Sequence, residues 1–172
     1  MGLSLGGDFY KDFLSVRLPR ANRSIWIATA DIKNLHVQSG RKFVPFLSVL
    51  SAALERGVRV RLIHAKEPGP RFRKDFDRFP LFRTSARFER ALCPRVHMKA
   101  VILDGRTAYI GSANLTGAGM GAKSERKRNF EAGVVTEDRD LVKGIEKYFS
   151  EIFAGKHCGV CALRRVCPDP IA

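Results

Sequence analysis

The segment Val96–Asn114, VHMKAVILDGRTAYIGSAN, constrains the fold of this chain more than any other stretch. Two apolar runs, Val96–Leu103 and Thr107–Ser112, flank Asp104-Gly105, a dipeptide suited to a tight turn between antiparallel strands. Runs this apolar belong in a sheet covered on both faces. Ser24–Ala30, SIWIATA, is a further buried-strand run. Phe43–Arg56 then places Phe43, Phe46, Leu47, Leu50 and Leu54 at helical spacing before the stop signal Gly57, and Val58–His64 alternates as a strand. Strand, helix and strand in that order imply a right-handed crossover between parallel neighbours. A hairpin and a crossover in one chain predict an α/β sandwich around a mixed central β-sheet flanked by helices.

The remaining segments extend that sheet. Arg87–Leu92 and Phe130–Thr136 read as strands, and Asp138–Phe153 as a helix with Leu141, Ile145, Phe149, Ile152 and Phe153 on one face. Pro68–Pro80, rich in Pro, Gly, Arg and Phe, reads as a loop with room for one helical turn. Its interleaved Arg and Phe suit a phosphate backbone with stacked bases. Phe72, Phe76 and Phe79 fit a plain core face equally well. There is no internal repeat and no domain-scale linker, so the 172 residues are expected to form a single domain. No apolar run approaches the roughly 18 residues of a membrane span, no membrane partner is expected, and no secretory signal is visible. The expected compartment is the cytoplasm.

Thirty-one Lys plus Arg against 17 Asp plus Glu give a formal net charge of +14, a field that attracts polyanions, nucleic acid first. The charge gathers in two loop clusters: Arg71, Arg73 and Lys74, then Lys123, Arg126, Lys127 and Arg128. These are the expected nucleic-acid contacts.

Along a strand, alternate residues share a face, so His97 and Lys99 point one way while Met98 and Ala100 enter a core layer. Ser112 and Asn114 have the same separation on the next strand, and Gly111 allows close backbone approach. An imidazole can attack phosphorus or protonate a leaving oxygen; an ammonium and a carboxamide can hold the non-bridging oxygens. The spacing His97-x-Lys99-x4-Asp104-x6-Gly111-Ser112-x-Asn114 resembles the HKD motif of the phospholipase D superfamily. The likeness extends more weakly from about Ile25 through Phe153, in the order of strands and helices.

That resemblance implies a phospholipase D-like catalytic domain over residues 1–155. His97 would be nucleophile or acid, Lys99 and Asn114 would bind phosphate, and Ser112 would assist. Asp104, at the turn, is the least direct of the set, and Glu131 would orient an imidazole. Members of the family use two such motifs in one pocket, and this chain has one. The resemblance to short bacterial endonucleases therefore implies a homodimer with a shared site. The expected activity is cleavage of DNA or RNA through a phosphohistidine intermediate, with no cofactor needed for the chemistry. The alternatives are a lipid phosphodiesterase and a non-catalytic nucleic-acid-binding subunit.

Four cysteines complete the set: Cys93, Cys158, Cys161 and Cys167. The last three form C-x2-C-x5-C within a tail, residues 156–172, expected to pack back on the domain through Cys93. In a cytosolic protein this spacing points to a metal before a disulfide. One distant cysteine with a C-terminal C-x2-C-x5-C resembles the [4Fe–4S] staple of some DNA-processing nucleases and helicase-nucleases. A structural zinc is the alternative, and His157 is a substitute ligand.

Overall fold

The computed structural model describes residues 1–170, so the last two residues of the expected tail, 171 and 172, lie outside it. Nine strands are present among the described residues: β1 (Gly2–Leu5), β2 (Ser24–Thr29), β3 (His36–Ser39), β4 (Lys42–Pro45), β5 (Arg59–His64), β6 (Phe88–Leu92), β7 (Ala100–Leu103), β8 (Thr107–Gly111) and β9 (Ala132–Thr136). Seven form one sheet in the order β1-β9-β8-β7-β2-β5-β6, and β3-β4 is a separate hairpin. The β2-β5 and β5-β6 pairs are parallel; β2-β7, β7-β8, β8-β9 and β9-β1 are antiparallel. The expected mixed α/β sheet in a single domain is the observed one.

Helices cover both faces. On one side lie a wide helical segment at Phe9–Arg17 and helix α1 (Phe46–Glu55). They bury Phe13, Leu14, Leu47 and Leu50 against Ile25, Ile27, Leu62, Val101 and Tyr109. On the other side lies α4 (Arg139–Phe153), which follows the short helices α2 (Pro70–Asp77) and α3 (Leu81–Thr84) in the chain. It packs Val142 and Phe149 on Ala28, Ile63, Ile102 and Ala108. Asp138 caps α4, its Oδ1 accepting from the N–H groups of Asp140 and Leu141 at 3.1 and 3.0 Å.

Several boundaries differ from the sequence reading. The helix expected over Phe43–Arg56 begins at Phe46, because Pro45 holds an extended backbone and Lys42–Pro45 pairs with His36–Ser39 instead. Phe43, counted on the helical face, is 66% exposed. The strand expected from Val96 begins at Ala100. Cys93–Val96 is a turn, and β2 ends too early to pair with residues 96–99. Pro68–Pro80 is largely helix α2 rather than loop. Phe72, Phe76 and Phe82 form an aromatic stack with centroids 6.1 and 4.7 Å apart, so these rings are core and do not face solvent as stacking platforms. Strand β1 and the β3-β4 hairpin had no expectation attached to them.

The topology gathers one set of termini. β2, β5 and β6 end at the same edge of the sheet at which β7 begins, β8 ends and β9 begins. That edge is where an open α/β sheet places its ligands.

Candidate active site

His97, Lys99, Ser112, Asn114 and Glu131 all lie at this edge, on the segments entering β7, leaving β8 and entering β9. Lys99 is 92% buried. Its Nζ lies 3.0 Å from both ring nitrogens of the exposed His97. An ammonium equidistant from Nδ1 and Nε2 sits over the ring rather than along either in-plane lone pair. An ammonium and an imidazole placed together in this way are able to engage an anionic group.

Asn114 has a defined orientation. Its Oδ1 accepts from the Asp31 N–H at 3.1 Å, and the Thr29 hydroxyl lies 3.4 Å away. Thr29 is held in turn by the Leu115 N–H at 3.0 Å and by its own donation to the Asp31 carbonyl at 2.7 Å. A backbone N–H can only face the oxygen of the carboxamide, so its NH2 group is left to donate elsewhere. Thr29 and Asp31 escaped the sequence reading, since the contact joins residues some 85 apart and neither belongs to a local pattern.

Tyr109 was missed for a similar reason. It reads as one more apolar strand residue, and its ring is buried against Phe9 with centroids 3.8 Å apart. Its hydroxyl reaches under the site to the backbone of Ala113, and burial pushes its pKa up. Gly111 and Gly133 make room for it. A Cβ on Gly111 would stand 2.3 Å from the Tyr109 Oη and 2.6 Å from the Ala132 carbonyl, so only glycine fits.

Two of the expected site residues behave differently. Asp104 sits at the far end of the β7-β8 hairpin, away from His97. Its carboxylate accepts from the N–H groups of Asn22, Arg23 and Ser24 at 2.8–3.2 Å and fastens the turn to the start of β2. It also occupies the left-handed region, φ 57°, a conformation Asp tolerates better than most residues. The structure therefore does not bring Asp104 together with His97, Lys99 and Asn114. Glu131 accepts from the Ser112 hydroxyl and, at 3.0 Å, from Asn129 Nδ2, and not from His97 of its own chain.

The basic clusters follow strands that end at this same edge, α2 after β5 and the 123–128 loop between β8 and β9. Arg71, Arg73, Lys74, Lys123, Arg126 and Lys127 are exposed. Arg128 is not free: its guanidinium packs on Gly7, and its Nε is buried without a partner. His64, at the end of β5, is fully buried. It accepts from Arg90 Nε at 2.7 Å and donates to the Lys66 carbonyl at 2.7 Å. Burial and the adjacent Arg90 hold its pKa below the ordinary value.

The cysteines lie beside the candidate site. All four are half-buried and unpaired, and all four line one small cavity between the 93–95 turn, Ile152 and the tail. Hydrogen bonds from the Leu163 N–H and from Arg95 hold the Cys161 thiol below its usual pKa. Among the described residues, no three His, Cys, Asp or Glu side chains are gathered closely enough for a single metal ion.

Residues 14–153 match the family described as cardiolipin synthase, PLD-like domain. The chain belongs to the phospholipase D superfamily. Comparison with curated proteins gave no match. Among solved structures, the chain is similar to NucT from Helicobacter pylori, with a TM-score of 0.63 and 16% identity over 87% of this chain and 92% of that one. It is also similar to Nuc from Salmonella typhimurium, described as a phospholipase D family member, with a TM-score of 0.60 and 17% identity over 87% of this chain and 92% of that one. TrmBL2, an archaeal chromatin protein, gives 0.60 and 17% over 88% of this chain and 51% of its own. At such identities these likenesses establish the shared phospholipase D-like fold. No helix among the described residues is long and apolar enough to cross a membrane.

Proposed function

We propose that the chain is a phosphodiesterase that cleaves nucleic acid, DNA or RNA, in the cytoplasm, at a site completed by a second copy of itself. The observation that carries this reading is the half-site: His97 under the Lys99 ammonium, with the Asn114 amide turned outward, present once. A net charge of +14 and exposed basic clusters at the same edge of the sheet favour a polyanionic substrate. The fold likeness to TrmBL2, described as showing a novel mode of DNA binding, points the same way.

In the proposed reaction, a His97 ring nitrogen attacks phosphorus and the phosphodiester P–O bond breaks. Lys99 and Asn114 hold the non-bridging oxygens as their charge rearranges. The partner copy's histidine gives its proton to the departing oxygen. It then takes a proton from the water that hydrolyses the phosphohistidine, which returns both rings to their starting states. One chain holds the nucleophile without this acid, and a two-fold axis supplies it.

The sheet face that would meet the partner is partly bare. Ile110, Val134 and Leu3 are cross-strand neighbours on one face of β8, β9 and β1, and Ile110 and Leu3 are 42% and 72% exposed. The row adjoins Ser112, and Phe130, beside Glu131, is fully exposed. Apolar surface bordering a half-site suits a self-complementary contact.

Mixing tests the shared site. When His97→Ala protein is exchanged with an equal amount of wild type, the nuclease activity per total protein should be about a quarter of that of wild type alone if every site needs two histidines. Retention of half would show that one chain suffices. Hydrolysis of cardiolipin vesicles with no cleavage of single-stranded DNA or RNA would overturn the nucleic-acid reading.

A further inference from the structure

We propose that Cys93, Cys158, Cys161 and Cys167 bind an iron–sulfur cluster of the [4Fe–4S] class, which fastens the C-terminal segment to the turn leading into His97.

The C-terminal segment needs such a fastening. Residues 154–170 contain no strand and only one short helical turn, Arg164–Val166, and none of them is fully buried. Val160 and Val166 are 91% and 77% exposed. Ordering a backbone costs about 1–2 kcal/mol per residue, and apolar burial here does not offset it. Local turns shape the segment, with Cys158 N–H donating to Gly155, Cys161 N–H to Cys158 and Arg164 N–H to Cys161. Its tie to the sheet is the Leu92 N–H donating to Asp169 at 2.8 Å.

The thiols converge all the same. Cys93 is set by its own N–H on the His64 carbonyl and by the Val96 N–H on its carbonyl, both at 2.9 Å. The three tail cysteines come round to it, and the four share the walls of one cavity. Thiolates are soft ligands that select zinc or iron–sulfur clusters. A single zinc would need its thiolates at about 2.3 Å from one point, a gathering that no described residues make. Thiols spread around a cavity wall suit a polynuclear cage, whose irons lie apart from one another. Arg95 and Arg164 line the same cavity and would offset the negative charge of a cluster held by four thiolates.

A neighbouring cavity shares Cys93, Cys158 and Cys161 and extends to Met98, Tyr148 and His97. The cluster would therefore brace the 93–97 connection from behind. Its role is structural, and the site stands whether or not His97 cleaves a phosphodiester.

The test uses the full chain purified without oxygen. Expected are a brown protein with a broad band at about 400 nm and about four iron and four sulfide per chain. Trypsin should spare Arg164 and Arg165 in this protein and cut there at once in the colourless Cys158→Ser and Cys161→Ser variants. Stoichiometric zinc without sulfide would overturn the proposal, as would metal-free protein with four titratable thiols, or a disulfide at Cys93. So would cysteine variants that keep iron and resist trypsin. If the variants fail to fold, the iron, sulfide and spectrum of the unaltered chain decide the matter.

Discussion

The β7-β8 hairpin carries polar residues at both ends, and the two ends use them in opposite ways. At the turn, the Asp104 carboxylate is fully engaged by three N–H groups at the start of β2. At the open end, His97, Lys99 and Asn114 are only half engaged. The ammonium covers the imidazole ring, and the carboxamide uses its oxygen and keeps its NH2 group. Polar groups whose hydrogen bonds are complete hold a fold together; groups held in place with capacity left over can hold a ligand. The motif spacing alone does not separate the two kinds.

Substitutions can break this contrast. The largest effect is expected from His97→Ala, which should lower nuclease activity by about 10³-fold or more with an unchanged melting temperature, because the exposed ring supports no packing. EDTA should leave wild-type cleavage intact. Undiminished cutting by the variant would remove His97 from the chemistry.

Asn114→Asp should follow. The new carboxylate can still accept from the Asp31 N–H, but the outward donor becomes an oxygen that repels phosphate. A drop of about 10²-fold in kcat with little change in melting is expected. A loss of folding instead would mean that Asn114 is merely structural.

Asp104→Ala should invert the pattern. Losing an acceptor for three N–H groups, in a left-handed conformation alanine resists, should cost about 2–4 kcal/mol in urea denaturation. The folded fraction should keep its full specific activity. Loss of activity at wild-type stability would return Asp104 to the site.

Smaller effects sharpen the comparison. Replacing Lys123 or Arg126 by Ala should reduce the slope of log affinity against log salt by about one each, where the residue meets a phosphate.

His64 supplies a pH test. Burial first, then Arg90, depresses its folded pKa, opposed by the Lys66 carbonyl, Glu67 and Asp169. The unfolded chain therefore takes up a proton, on falling below about pH 6.5, that the folded chain refuses. The stability is complete above that pH and declines as the pH falls. Melting between pH 7 and 5 should show this slope in wild type and lose it in His64→Gln, with no matching change in the pH profile of cleavage attributable to His64.

Much of the fold was legible because burial leaves a repetitive mark. The apolar runs at Ser24–Ala30 and Thr107–Ser112 and the period of Asp138–Phe153 correspond to β2, β8 and α4 within a residue or two. The errors fell where a local pattern served two structures. Phe43 kept helical spacing up to Pro45 but belongs to a hairpin, and Phe72 and Phe76 fitted a stacking surface and a core face alike. Strand β1 was invisible because its Leu3 and Leu5 lie exposed, so no burial pattern marks it.

The sequence by itself determined the mixed α/β class, the pairing around Asp104-Gly105, and the residue types of the candidate site, because spacing along a strand dictates which side chains share a face. Only the tertiary structure decided which of those residues are engaged. Asp104 was drawn to the start of β2, Glu131 to Ser112 and Asn129, and Arg128 onto Gly7. It also revealed Thr29, Asp31 and Tyr109 as the supports of Asn114 and its strand. The physical reason is distance along the chain. A hydrogen bond between residues 80 or more apart leaves no periodicity in either segment, and the sheet must close before the two ends can meet.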